Sequence, residues 1–510
     1  MTSTAAPSAS HLISAGNEWT FELIEAFDQE IGRCAETFEL DTYPNQIEII
    51  RSDQMMDAYA SVGMPIGYSH WSFGKQFVDV ERNYTHGRMG LAYEIVINSN
   101  PCISYLMEEN TLTMQALVIA HACYGHNSFF KNNYLFQTWT DASAIIDYLV
   151  FARKYVADCE ERYGVAAVEE ILDSCHALQN YGVDRYRRPS PISAEQEAQR
   201  QRERAEYIQR NLNELWRTLP QREADPQERE TRFPEEPQEN LLYFIEKHAP
   251  LLEPWQREIV RIVRKIAQYF YPQRQTQVMN EGWASFWHYT LLNELYGRQR
   301  VNDAFMMEFL ASHSAVLFQP AFDHPAYGGM NPYALGFAIY SDLKRICEAP
   351  TAEDREWFPD LVGAPWLPTL HAAMRDFKDE SFILQFLSPK VMRDLRLFGI
   401  VDDDQAEHIE VSAIHDSEGY RRVRALLASQ YNLGDQEPNI QVVNVDVRGD
   451  RSLTLRHSAH TRRPLAEDAS AVMKHVHRLW GFPVHLEQID IGADAGERPR
   501  RLHSITAFRG

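Results

Sequence analysis

No run of 18 apolar residues occurs in the 510-residue chain, so no segment reads as a membrane-spanning helix. The opening MTSTAAPSASHLISAGNEW lacks a basic n-region and an apolar h-region, which predicts a cytoplasmic protein without a cleaved export signal. Cysteine is scarce: Cys34, Cys102, Cys123, Cys159, Cys175 and Cys347 are far apart, with no CxxC pair, and reduced thiols are expected. Positive charge is short as well, 50 Lys+Arg against 72 Asp+Glu for a net −22. That balance repels phosphate backbones and anionic lipid, which argues against nucleic acid as a partner. The basic run RRVR at 421–424 reads as a solvated helix face. There is no GxxxxGK[ST], no GxGxxG after a strand and no GxSxG, so neither a nucleotide cofactor nor a serine-hydrolase elbow is expected.

What the chain does have is core-forming residues, 44% hydrophobic with 12% aromatic, arranged mostly at helical spacing. Phe21, Ile24, Phe27 and Ile31 mark a first amphipathic helix. LAYEIVINSNP alternates and stops at Asn-Pro, predicting a strand over 91–98. Asn110 or Thr111 is placed to cap a helix that runs to about Tyr124 and ends at Gly125. Residues 187–240, rich in Arg, Glu, Gln and Pro, read as a charged insert. Helical patterns then continue to about residue 400. Beyond it, alternating and helical segments follow in the order β-α-β-β-α-β, which matches a ferredoxin-like sandwich. The predicted architecture is a mainly α domain with a small sheet over 1–400, followed by a small α+β ferredoxin-like domain over 401–510.

Two stretches carry the chemistry. HACYGHNSFFKNNYLF puts His121 and His126 at the end of an apolar run. A spacing of five turns them about 140° apart on a regular α-helix, unlike the i, i+4 pair of HExxH proteases. A helix stopping at Gly125 would let His126 swing back toward His121, and the pair would then suit one metal ion. In NEGWASFWHY, Glu281, Ser285 and His288 share a helical face. Glu281 is the better ligand, and His288, about 10 Å further along the axis, the better acid, base or oxyanion partner. Two histidines and a carboxylate with water in the fourth position make the open zinc site of gluzincin-type peptidases, whose third ligand often lies in an EGWA-like stretch. Zinc is the expected cofactor, with iron or another divalent metal fitting the same ligand types.

Ala122 stands where HExxH enzymes keep the glutamate that deprotonates water. Glu109 and its neighbour Glu108 are candidates to replace it, with Glu281 and His288. Tyr333, in NPYALGFAIYSDLKR, is a candidate to stabilise an oxyanion. Asn127, Lys131, Asn132 and Asn133 either cap and turn the chain or bind a polar substrate. His86 and His324 lie in loop-like stretches from which either could approach the site, although nothing in the spacing requires it.

LMEENTLTMQALVIAHACYGHNSFFKNN, NEGWASFWHY and NPYALGFAIYSDLKR, in this order, resemble the SpoVR family, named after stage V sporulation protein R, in the form found in Gram-negative bacteria that do not sporulate. The resemblance spans nearly the whole chain. It implies a link to spore cortex peptidoglycan or to stationary-phase stress response, and as partners a PrkA-type serine kinase and a von Willebrand factor A-like protein. Two functions are therefore expected as rivals: a cytosolic metal-dependent peptidase or amidase, and a non-catalytic regulatory or scaffold protein of a kinase stress system.

Overall fold

The structure, a computed structural model, describes residues 12–60, 67–71, 94–184, 233–321, 324–325, 327–401, 410–413, 416–459, 465, 468–490 and 500–506. The charged insert apart from 233–240, His86, and the first three residues of the strand expected over 91–98 lie outside them. Two compact units are formed, Met1–Leu172 with Lys265–Glu437, and Asp173–Arg264 with Pro438–Gly510.

The first unit is mostly helical around a three-stranded sheet. Its first helix, α1 (Phe21–Thr37), starts where the Thr20 side chain accepts the Leu23 N–H, a capping bond that satisfies one orphan donor. Ile24, Phe27 and Ile31 are buried, whereas Phe21 is exposed and packs edge-on against Trp19. The sheet orders its strands β1 (Asn45–Ile50), β3 (Cys102–Met107), β2 (Glu94–Ile97), with β3 parallel to β1 and antiparallel to β2. Because β3 is central, it is buried almost throughout and is mostly apolar, with Ser104 the polar exception. Among the described residues, strand β2 is an outer strand of the sheet, with Glu94 opposite Leu106.

From the sheet the chain enters α2 (Leu112–Val118), capped by Thr111 as expected. A π-helix (Ile119–His126) and α3 (Asn127–Asn132) continue it without a break. The other site-bearing helices are α4 (Gln277–Gly297), α5 (Asp303–Val316) and α6 (Pro332–Glu348). Helix α4 is buried along most of its length from Val278 to His288, carrying Trp283 and Trp287 at zero exposure. Its first turn is held by Asp379, whose carboxylate accepts the N–H groups of Val278 and Met279, each at 2.9 Å. Small residues admit its neighbours: a Cβ on Gly282 would collide with Gly336 of α6, and one on Gly125 of the π-helix would meet Ala284.

Between α6 and residue 437 the chain adds short helices and a two-stranded sheet, β4 (Gly399–Val401) with β5 (Glu410–Ala413). In the second unit β6 (Ile440–Val445), β7 (Leu453–Ala459), β8 (Val484–Asp490) and β9 (Arg500–Ile505) form one sheet in that order. β7 and β8 are parallel, joined through the helix Ala469–Trp480, and the outer pairs are antiparallel. The expected β-α-β-β-α-β elements thus occur in sequence but do not build the ferredoxin-like sheet. Its first strand pairs with β4 instead, and β9 supplies an unforeseen fourth strand to a β-β-α-β-β arrangement.

All six cysteines are free and buried. Among the described residues, no helix is long and apolar enough to cross a membrane.

Candidate metal centre

The helix does not stop at Gly125, as the sequence had suggested. From Ile119 to His126 it widens into a π-helix, and the Asn127 N–H bonds to the Ala122 carbonyl five residues back. Bonding at i→i+5 stacks residues five apart along one face, so His121 and His126 come together without leaving the helix. Their rings meet edge to face with centroids 4.5 Å apart. In the widened segment Gly125 lets the helix lie directly on Ala284, and the Ser128 hydroxyl donates to the Gly125 carbonyl at 2.9 Å.

Helix α4 brings Glu281 to this face and β2 brings Glu94. His121 Nε2 lies 3.6 Å from Glu94 Oε1 and 3.6 Å from Glu281 Oε2, and His126 Nε2 lies 3.4 Å from Glu281 Oε2. Those separations exceed a good hydrogen bond, about 2.7–3.2 Å. They match the roughly 3.4 Å between ligand atoms that sit about 2.1 Å from a tetrahedral ion. His121 Nε2 and Glu281 Oε2 are buried with no hydrogen-bond partner, which is costly unless something else satisfies them. Glu94, His121 and His126 offer one ligand atom each within 4.8 Å of one another. The far nitrogens are engaged. His126 Nδ1 bonds to Asn280 Oδ1 at 2.9 Å, which puts its proton on Nδ1 and leaves the Nε2 lone pair facing the carboxylates. His121 Nδ1 lies 2.9 Å from His288 Nδ1, and His288 Nε2 lies 2.7 Å from His313 Nδ1. The residues fit a divalent cation held by two imidazoles and one or two carboxylates.

The charges of the metal-free cluster are strained. Burial pushes the Glu94 carboxyl up, against the pull of His121 and His126 and with help from Glu281. Burial also works against Glu281, but His126 and His121 outweigh it and hold that carboxyl well below its usual range. His126 behaves reciprocally: burial opposes its charge, and Glu281 foremost raises it above the ordinary imidazole value. Burial, followed by the neighbouring imidazoles, drives His288 well below that value, and burial followed by His121 brings His313 to about 4. A divalent cation among the four side chains would relieve the repulsion between the two carboxylates.

His121, His126 and Glu281 therefore converge. His288 approaches His121 from the opposite edge of the ring to Glu281, with both its nitrogens engaged. Tyr333 stacks on His121 at 6.2 Å. Glu109 is turned elsewhere, accepting the Ser52 N–H. The Asn-rich segment is tied mostly to backbone: Asn127 bonds both ways with Tyr43, Lys131 reaches the Asp41 carboxylate and the Thr42 carbonyl, Asn132 reaches the carbonyls of Asp41 and Ser128, and Asn133 those of Met374 and Phe377. Capping and anchoring are the roles this geometry shows. Sequence reasoning passed over Glu94, Asn280 and His313. Glu94 is the lone carboxylate inside EIVI, and Asn280 directly precedes Glu281, so both left a trace.

Comparison with known proteins places these residues in context. The SpoVR like protein family matches residues 18–436, and the SpoVR-like C-terminal domain matches residues 438–491. An Escherichia coli (strain K12) protein described as uncharacterized protein YcgB is 67% identical over 477 residues, covering 93% of this chain and 94% of its own length. No solved structure matches.

Proposed function

The chain belongs to the SpoVR-like protein family, and on that premise we propose that it is a divalent-metal-dependent hydrolase of peptidase or amidase type, zinc being the first candidate ion. The observation that carries this reading is the pair of buried, unpartnered atoms His121 Nε2 and Glu281 Oε2, set among ligand atoms at 3.4–3.6 Å. His121, His126 and Glu281 would hold the ion. Such an ion, when bound, acidifies water and polarises a carbonyl. Glu94 takes the place of the glutamate missing at Ala122: it accepts the proton of the attacking water and passes it to the leaving amine. Tyr333, stacked on His121, is assigned as the hydrogen-bond donor to the developing oxyanion. A peptide-like substrate is favoured because Glu94 lies on a strand that is outermost in its sheet among the described residues, and such a strand presents backbone donors and acceptors to an extended chain.

The test is elemental analysis of untagged protein beside a His121→Ala/His126→Ala double variant. About one equivalent of zinc or iron in the wild type, absent from a still-folded variant, is the expected result; equal metal content in both would overturn the reading. Hydrolysis of a peptide and amide panel by the loaded protein then tests the activity.

Ala122 favours a second reading, in which the centre is structural and the protein is a regulatory or scaffold component of a PrkA-type kinase system. Retained co-purification with such a kinase after substitution of all three ligands would support it.

A further inference from the structure

Three histidines from three helices lie in series. His121 of the π-helix meets His288 of α4 nitrogen to nitrogen at 2.9 Å, and His288 meets His313 of α5 at 2.7 Å. All three are nearly buried, at 3%, 1% and 5% exposure, and aromatic rings enclose the last of them: Tyr289, Phe309 and Phe337 lie with centroids 4.8–5.8 Å from that of His313.

A hydrogen bond between two imidazole nitrogens needs one protonated and one bare. Two such bonds in series leave neutral rings only two arrangements. In one, His121 carries its proton on Nδ1 and donates to His288 Nδ1, and His288 donates from Nε2 to His313 Nδ1. In the other, every proton sits on the opposite nitrogen, and His121 presents N–H rather than a lone pair toward Glu94 and Glu281. The choice made at His313 is therefore forced on His121, across a ring that touches neither carboxylate.

We propose that His313 is a positioning residue that, acting through His288, dictates which nitrogen of His121 bears its proton and so holds the His121 Nε2 lone pair toward the two carboxylates. His313 does so by accepting at Nδ1, with its own proton on Nε2. The carbonyl or carboxylate that commonly orients a metal-ligating histidine is replaced here by a two-imidazole chain. This inference builds on the metal reading above, but its core, control of one histidine by another, is measurable without metal.

The first experiment is nitrogen-15 spectroscopy of histidine-labelled full-length protein, metal-free, for the wild type, His313→Phe and His313→Asn. Phenylalanine removes the acceptor, whereas asparagine restores it through its amide oxygen, which takes the place of Nδ1. The ring-nitrogen signals of His121 are expected to move in His313→Phe and to return toward wild type in His313→Asn; His121 signals alike in all three would overturn the proposal. The second is zinc affinity by chelator competition, expected to fall about tenfold to a hundredfold in His313→Phe and to recover in His313→Asn. Equal affinity in the three proteins would count against the proposal. A third needs no variant: in the zinc-loaded wild type, His288 is expected with Nδ1 bare and Nε2 protonated, and a proton on His288 Nδ1 would refute the assignment. If the wild type takes up no zinc, the metal reading fails while the metal-free spectra still decide the histidine chain.

Discussion

Gly125 lies on Ala284 so closely that a Cβ on the glycine would sit 2.6 Å from the Ala284 Cα. The contact joins the π-helix that carries both histidines to the helix that carries Glu281, with no side chain between them. Gly125→Ala must push the two backbones apart, an overpacking cost of about 1–3 kcal/mol, and the shift falls on the gap between His126 and Glu281. A lower melting temperature together with weaker zinc binding is expected. A variant with wild-type values for both would show that the spacing of the helices does not set the centre.

The two carboxylates should separate by role. Glu281→Gln removes a ligand and should lose the ion. Glu94→Gln should keep it and lose hydrolysis by about 10²–10⁴-fold. Metal content and turnover measured on both variants check this, and loss of metal from Glu94→Gln would make Glu94 a ligand instead of a base.

Asp379 is buried beneath the first turn of α4, and burial brings its carboxyl to about 7, against the lowering effect of the N–H groups of Val278, Met279 and Gln277. An unfolded aspartate titrates near 3.9, so the folded state binds the extra proton between about pH 4 and 7. This contribution to stability is full below pH 4 and is lost as the pH rises through 7. Asp379→Asn, which cannot ionise, should flatten that part of the stability profile relative to the wild type. Melting temperatures at several pH values measure it, and parallel profiles would remove Asp379 as the cause.

Asn133 sends its amide to the carbonyls of Met374 and Phe377 at 2.7 and 3.0 Å and caps the next helix through its oxygen. Asn133→Ala leaves buried carbonyls unpaired, a loss of about 1–3 kcal/mol. Stability should drop while zinc content holds. Wild-type stability with impaired substrate binding would return Asn133 to a recognition role.

What the sequence disclosed was local. Thr111 could be read as a cap from its own few residues, and the shared face of Glu281 and His288 from helical pitch. Pitch also hid the central feature: the π-helix lies where Gly125 rests on Ala284, two positions 159 residues apart in the chain. Glu94 and His313 were missed for the same reason, since neither lies near the histidines in sequence and each arrives by way of a strand or a packed helix. In the second unit, alternation located strands but carried no information on partners. Glu410–Ala413 therefore looked like the first strand of a sheet that it does not join.

The π-helix also makes the centre sensitive to chain length. Five-residue spacing with both histidines on one face amounts to one surplus residue accommodated in an α-helix. A single deletion between His121 and His126 would return the segment to α pitch at four-residue spacing. Because the wider turn already absorbs the surplus residue, that deletion would leave the following helix close to its present register, with Asn127, Lys131 and Asn133 still beside the backbone groups that anchor them. The anchors thus fix the helix beyond the histidines, and the length of this stretch sets the spacing of the two rings.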